Sequence, residues 1–183
     1  MRKGLMCLML SVVMLLAFAG CDRNQITKMD VDDAVTTEDL NTSSAYVVRG
    51  FFESLFNQDR DMFEKCFPDE FIADLKADDI DMFAQYSQSL AVSGTFAGTQ
   101  YLNYNELSEE GGYDDWESFR DDISTVHGIP ADQISTMHIV HVKVYFVNDG
   151  ENQYIELYSI AYETEGQWYM YEIQNSDAEF EQK

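Results

Sequence analysis

Apolar residues in the middle of the chain recur at helical spacing. The pattern predicts a helix over 44–57. Its apolar residues lie three or four positions apart and share one stripe: Ala45, Val48, Phe52, Leu55 and Phe56. A shorter helix is predicted from Asp61, because Glu64 follows at capping-box spacing. Pro68 ends that helix and begins a third one. The same period continues through Ile80, Phe83, Ser87 and Leu90.

Alternation gradually replaces the helical period further along the chain. Residues 100–107 alternate weakly and predict a short strand, which the loop 108–112 follows. Asp114 and Glu117 then form another capping-box pair at the start of a helix. Its apolar stripe consists of Trp116, Phe119, Ile123 and Val126. The helix ends before Gly128, and its stripe predicts that it packs on a sheet.

Three strands are predicted in the C-terminal third. Strict alternation puts one set of side chains on a single face of the first strand: His138, Val140, Val142, Val144 and Phe146. Turn signals at 148–150 and 165–166 separate this strand from YIELYSIAYE and from WYMYEIQ. Strands joined by such turns form an antiparallel meander. We therefore predict an α+β fold, with N-terminal helices packed on an antiparallel sheet.

The first 21 residues carry an export pattern. Arg2 and Lys3 precede an apolar segment over 5–19, and Gly20 and Cys21 close it. This apolar segment is shorter than the roughly 18 to 20 residues that cross a bilayer as a helix. The pattern therefore predicts a cleaved signal peptide and not a permanent membrane span.

Cys21 has its own explanation in this pattern. The stretch Phe18-Ala19-Gly20-Cys21 resembles the lipobox of bacterial lipoproteins, although Phe18 replaces the usual Leu. In that family the cysteine sulfur receives a diacylglycerol. Two acyl chains of about sixteen carbons would contribute on the order of 20 kcal/mol of gross burial. We expect lipid attachment at Cys21 and a protein anchored on the extracytoplasmic face of the cell membrane. The alternative is an ordinary signal peptide with an incidental thiol.

These patterns divide the chain into three parts. Residues 1–20 are the predicted lipoprotein signal peptide, 21–43 a polar tether, and 44–183 a single α+β domain. A hydrophobic content of 45% in 183 residues is enough for one packed core. The acidic run over 30–33 lacks the spaced oxygen ligands and the glycine of a calcium loop, so we interpret it as part of the tether.

The net charge excludes one class of partner. The chain carries a formal charge of −23, which becomes −25 when Arg2 and Lys3 leave with the signal peptide. Such a domain repels both nucleic acid and anionic lipid headgroups. We therefore expect no nucleic-acid partner, and contact with the membrane through the lipid anchor. The remaining partner is an unknown small ligand or an envelope protein.

The cysteines predict no disulfide and no catalytic thiol. Cys7 leaves with the signal peptide and Cys21 is acylated, so Cys66 would be the one remaining thiol. It lies close to Phe63 and Phe67, and lone cysteines in apolar surroundings are usually small core residues. A reactive thiol would require a basic or histidine neighbour to lower its pKa.

The three histidines predict no metal site. His138 and His141 lie three apart on a strand and face opposite sides of it. We interpret His138 as a hydrogen-bonded core or rim residue, and the helix dipole explains His127 at a helix end. The sequence contains no phosphate loop, nucleophile elbow or zinc spacing. We therefore assign no catalytic residue, metal ligand or cofactor.

The order of the elements resembles a known family. A helical opening, FFESLFNQDRDMFEKCFPDEF, and strands that end in EGQWYMYEI are similar to the NTF2-like (cystatin-like) domains of small bacterial lipoproteins. Gly166-Gln167-Trp168 matches the Gly-x-Trp strand of that superfamily, whose indole lies against the helices. The likeness covers 44–174, and the helix from Asp114 departs from the plainest form. It implies a curved sheet that wraps the helices as a cone, with a pocket at the open end.

Three functions remain open from the sequence. The first is a membrane-anchored binding or interaction module, which requires the fewest features that the sequence lacks. The second is a small-molecule enzyme, similar to the isomerases and dehydratases of the superfamily, that uses acid/base residues inside the cone. The third is a structural envelope protein that uses exposed sheet edges or aromatic patches. We favour the first over an enzyme, and the enzyme stays open as the alternative.

Overall fold

A computed structural model describes residues 20–21, 36–90, 92–108 and 116–175. Residues 1–19 of the predicted signal peptide lie outside the described residues. So do residues 22–35 of the predicted tether, and Asp114 at the predicted start of the last helix.

Helices and an antiparallel sheet make up the described part of the chain, which confirms the predicted α+β class. The helices are α1 (Ser44–Asn57), α2 (Arg60–Lys65), α3 (Asp69–Ala77), α4 (Met82–Ser89) and α5 (Trp116–His127). The strands are β1 (Gly20–Cys21), β2 (Thr95–Leu107), β3 (Ile134–Asn148), β4 (Glu151–Thr164) and β5 (Gln167–Asn175). A 3₁₀ turn at Ala131–Gln133 joins α5 to β3. The predicted bounds of α1 are confirmed.

Short polar caps set where the first helices begin. Ser43 Oγ accepts a hydrogen bond from the Tyr46 N–H at 3.2 Å, which starts α1 at the predicted residue. The predicted start of the second helix at Asp61 is wrong. Asp59 caps α2 instead, because its carboxylate accepts the Met62 N–H at 3.0 Å. Capping-box spacing selects Asp61, because Glu64 follows it and Met62 follows Asp59, so here the pattern indicates the wrong aspartate.

Strands β2 to β5 pair in chain order, and β1 pairs with the edge of β4 at Gln153 and Tyr154. Two-residue turns join β3 to β4 and β4 to β5. Their residues, Asp149, Gly150, Glu165 and Gly166, all have positive φ angles of 51° to 80°. Turns of this kind match the right-handed twist of the strands that they connect. The predicted antiparallel meander is confirmed.

Strand β2 is longer than predicted. It covers Thr95–Leu107, whereas the alternation predicts only 100–107. Its register against β3 shifts just after Phe96 and again just after Tyr101. Each shift is a β-bulge, which inserts one residue and reverses the alternation. The bulges explain why the period-two pattern of this segment is weak.

Two hydrophobic clusters lie on opposite faces of the sheet. The larger cluster lies between α1–α4 and the sheet, and its fully buried members from α1 are Val47, Val48, Phe51, Phe52 and Leu55. The smaller cluster lies under α5, whose Trp116 and Ile123 pack with Met137, Ile139 and Ile160. The alternation of β3 produces this division, since neighbouring side chains point to opposite faces. The cone shape that the resemblance implies stays a prediction.

The folded domain begins before residue 44. Leu40 is fully buried, and it contacts Gly50 of α1 so closely that a side chain there would collide with it. Asn41 pairs with Trp168 in both directions: its carbonyl accepts the Trp168 N–H at 2.9 Å, and its Nδ2 donates to the Trp168 carbonyl at 2.7 Å. The prediction of a tether up to residue 43 is therefore wrong for its last residues, which dock onto α1 and β5.

Candidate functional site

A cavity of about 450 Å³ lies where the β4–β5 turn meets the end of α5 and the junction of α2 and α3. The helices contribute Lys65, Asp69 and His127 to its wall, and the strands contribute Thr164 and Tyr169. We call it the His127 cavity. Its volume falls within the roughly 300–1,000 Å³ of pockets that bind small molecules.

His127 is the last residue of α5 and is almost completely buried. The helix ends there because Gly128 follows in the left-handed conformation, with φ of 74°. The imidazole is 3% exposed, its Nδ1 lies 2.7 Å from Tyr162 Oη, and its ring centroid lies 4.2 Å from that of Phe71. Burial lowers the pKa of His127 to about 3, so the ring is neutral at pH 7. The helix-dipole interpretation of His127 is therefore wrong, because the dipole favours a charged imidazole.

Two buried polar atoms of residues that line the His127 cavity lack a hydrogen-bond partner among the described residues. They are His127 Nε2 and Thr164 Oγ1. Leaving a buried donor or acceptor unpaired costs about 1–3 kcal/mol. Neither atom has surface that faces open space, so both lie beneath the wall of the cavity, out of contact with a ligand held there.

The phenols around His127 stay protonated. Burial raises the pKa of Tyr162, whose side chain is fully enclosed. Burial also raises the pKa of Tyr169, and the nearby carboxylates of Asp69 and Glu165 raise it further. The two tyrosines therefore act as hydrogen-bonding groups, and a negative potential surrounds Tyr169.

A second cluster surrounds His138 on the helix side of the sheet. Ser44 Oγ lies 2.7 Å from His138 Nδ1, and Glu106 Oε2 lies 3.6 Å from Nε2. Burial lowers the pKa of His138, and Glu106 opposes that shift. The rings of Tyr104 and Trp168 contact the imidazole with centroids 4.7 and 4.4 Å away. The prediction of a hydrogen-bonded rim histidine is confirmed.

The remaining histidine and the buried thiol also follow the sequence analysis. His141 Nε2 lies 2.8 Å from Glu156 Oε1, on the face opposite to His138, so the predicted opposite orientation is confirmed. Cys66 is fully buried in the helix-side cluster, as predicted, and burial raises the pKa of its thiol. Over the described residues, no group of three or more histidine, cysteine or carboxylate side chains is arranged to hold a metal ion.

Cys21, the predicted lipid attachment residue, lies in β1, where its backbone pairs with Gln153. Its acylation stays a prediction. None of the helices in the described ranges is long and apolar enough to span a bilayer.

Large apolar side chains are rare on the described surface. Those that are exposed are Leu102 and Tyr104, at 39% and 59%, and both lie on β2. Two such residues make a small patch, so this surface gives little support to a structural envelope role.

Comparisons of the chain with protein-family models, with curated proteins and with solved structures found no match. The NTF2-like resemblance therefore stays a prediction. The residues of the His127 cavity come from four separate parts of the chain, and the sequence singles out only His127 among them as a candidate site residue. Thr164 and Tyr169 in its wall, and Tyr162 beside His127, belong to a strand pattern that indicates a sheet and carries no signal of a site.

Proposed function

We propose that this chain is a membrane-anchored extracytoplasmic lipoprotein whose domain is a binding module, with the His127 cavity as its ligand site. The observation that carries the proposal is the cavity itself, about 450 Å³ in volume, whose wall combines carboxylates, hydroxyl groups and apolar side chains. The anchor at Cys21 rests on the export pattern of the sequence.

The protonation state of His127 favours binding over proton transfer. A general base works best with a pKa near the working pH. The pKa of His127 is lowered to about 3, which makes the imidazole a weak base at pH 7. A neutral imidazole held by Tyr162 supports the wall of the cavity without adding a charge to it.

Calorimetry on the full chain in detergent tests this proposal with four probes: putrescine, 1,4-butanediol, succinate and glucose. Tyr169→Ala removes a half-buried aromatic ring from the wall of the cavity. We expect this variant to bind the active probe about tenfold more weakly, because the ligand loses the surface on which it packs.

Tyr154→Ala is the matched control for Tyr169→Ala. Tyr154 is also half-buried on the sheet, and it lies outside the cavity wall, at the other end of β4. We expect this variant to leave the affinity unchanged. The proposal would be contradicted if no probe binds, or if every probe that binds does so equally well to Tyr169→Ala.

A small-molecule enzyme is the second candidate function, and the His138 cluster is the observation that favours it. Ser44, His138 and Glu106 have the order of a nucleophile, a base and an orienting acid. The burial of Ser44, which is 9% exposed, restricts access of a substrate. Hydrolysis of p-nitrophenyl acetate tests this candidate. We expect the wild-type chain to hydrolyse the ester and His138→Gln to abolish the activity. A wild-type chain without turnover would exclude this esterase chemistry.

A further inference from the structure

We infer that two copies of this chain associate through β2, whose outer edge pairs antiparallel with β2 of the other copy. This contact is separate from the His127 cavity, because no described residue of β2 lines that cavity. Three features point to a second copy: an open sheet edge, a long stretch without charge, and a register in which no carboxylate faces another.

The two edges of the sheet differ in what covers them. At the β5 edge, the Trp168 N–H donates to the Asn41 carbonyl at 2.9 Å, and the Met170 N–H donates to the Cys66 carbonyl at 2.8 Å. Strand β2 forms the opposite edge, and over the described ranges β3 is the one strand that pairs with it. An edge strand presents N–H and C=O groups that another strand can pair with. The β2 edge is therefore suited to receive a partner strand.

The chain at this edge carries almost no charge. Residues 82–105 are 24 residues without an aspartate, glutamate, lysine, arginine or histidine, in a chain in which 25% of the residues are charged. They include all of α4 and most of β2. Soluble proteins commonly protect a free edge with charged side chains or proline, and β2 has neither before Glu106. The exposed apolar side chains Leu102 and Tyr104 lie on the same strand.

The charge of the whole molecule indicates what kind of partner fits this edge. With a formal charge of −23, two copies repel each other wherever their acidic surfaces meet. At the β2 edge they approach without that cost, because charges more than about 8 Å away are largely screened at physiological ionic strength. A basic partner would gain more by binding the acidic surfaces than by binding a neutral edge. A strand that pairs with its own copy also forms a closed twofold contact, which is the commonest symmetry of oligomers.

The bulges of β2 leave one regular segment for this pairing. Beyond the second register shift, residues 103–107 pair with β3 without interruption. A twofold axis at Asn105 pairs this segment with its own copy and places Tyr104 opposite Glu106 of the other copy. No carboxylate then faces a carboxylate, and like charges directly opposite each other would be destabilising. Because the paired segment is short, we expect a dimer that forms in proportion to protein concentration.

Native mass spectrometry of the full chain, released from detergent micelles, counts the copies in each complex. We expect monomer and dimer in the wild type, with a share of dimer that rises with concentration. Tyr104→Glu places a carboxylate opposite Glu106 of the other copy on both sides of the axis, and we expect it to weaken the dimer about tenfold. Tyr104→Lys removes the same ring but places an ammonium group there, so we expect this variant to keep the dimer.

Two further variants separate the β2 edge from the net charge. Ala77→Glu and Ala77→Lys make the same changes of charge at the exposed end of α3. We expect these two variants to dimerise equally well. Both Tyr104 variants lose the ring contact with His138, so the comparison between them is free of that effect. Thermal melts check that all four variants fold.

Four results would overturn the inference. The first is a wild type that stays monomeric at every concentration, and the second is a wild type that carries a different polypeptide in place of a second copy. The third is a dimer that Tyr104→Glu and Tyr104→Lys affect equally, because the contact would then lie elsewhere. The fourth is a difference between the Ala77 variants as large as that between the Tyr104 variants, because net charge alone would then explain it. The proposed function stands or falls separately, by calorimetry on the His127 cavity.

Discussion

His127 and His138 show how neighbours decide what a histidine side chain can do. His127 contacts rings and one phenol, so burial alone determines its pKa and the ring stays neutral. His138 lies between a hydroxyl and a carboxylate, and Glu106 works against the effect of burial. The first histidine is therefore a fixed hydrogen-bonding group, whereas the second belongs to a charged network.

The burial of His127 predicts a loss of stability in acid. Its pKa is about 3 in the folded protein, against an ordinary value of 6.5. Between these pH values the unfolded chain binds a proton at His127 and the folded chain does not. The free energy of unfolding therefore falls as the pH falls from about 6.5 towards 3. One such group contributes a slope of roughly 1.4 kcal/mol per pH unit. Urea unfolding of the wild type and of His127→Gln across this range measures the difference in slope.

Tyr162→Phe is the control for that experiment. It removes the hydrogen bond to His127 Nδ1 but keeps the ring buried. Because desolvation is the cause of the shift, we expect this variant to keep the wild-type slope. Equal slopes in the wild type and His127→Gln would show that His127 is not the group that the unfolded chain protonates.

Secondary structure elements differ in how well the sequence predicts them, and local signals explain the difference. The helical stripe and the cap at Ser43 lie within one segment, so α1 is predicted with its observed bounds. Strand β3 alternates strictly over most of its length, and the turns with positive φ that separate β3, β4 and β5 are also encoded by local residues. Strand β2 is only partly predicted, because its two bulges reverse the alternation.

The His127 cavity could not be predicted because its parts meet only in the folded chain. His127 and Thr164 are 37 residues apart in sequence, and Asp69 comes from a different helix. A histidine before Gly128 indicates a helix end, but no local pattern shows that the imidazole is buried. The imidazole is buried because α5 packs against the α2–α3 junction, which is a tertiary contact.

The segment before α1 provides a test at the scale of elements. Leu40 is fully buried against α1, so Leu40→Ala should lower the free energy of unfolding by about 2–5 kcal/mol. Leu102→Ala, at an exposed position of β2, should change it by no more than about 0.5 kcal/mol. Urea denaturation measures both. An unchanged stability in Leu40→Ala would mean that this segment belongs to the tether after all.

The whole molecule combines the proposed anchor at one end of the sheet with the cavity at the other. Cys21 pairs with Gln153 of β4, whereas Thr164 lies in the cavity wall about 35 Å further along the same strand. A lipid on Cys21 would therefore leave the cavity unobstructed. The acidic domain would not adhere to an anionic bilayer by its own charge, so the anchor has to hold it there.

Fractionation of cells that express the chain tests the anchor. We expect the wild type in the membrane fraction and Cys21→Ser in the soluble fraction, because only the acyl chains provide enough burial. Cys66→Ala changes a buried thiol and should remain in the membrane fraction. Mass spectrometry of the N-terminal peptide should find the added mass of the lipid on Cys21. A wild-type chain with an unmodified thiol there would contradict the anchor.

The central claim is that the His127 cavity binds a ligand, and NMR of the chain labelled at its tyrosine rings observes Tyr169 in the cavity wall directly. Spectra of the full chain in detergent are recorded with putrescine, 1,4-butanediol, succinate and glucose in turn. The account predicts that a probe that binds in calorimetry shifts the ring resonances of Tyr169 and leaves those of Tyr154, at the far end of β4, in place. A probe that binds with measurable heat while the Tyr169 resonances stay unchanged would contradict it.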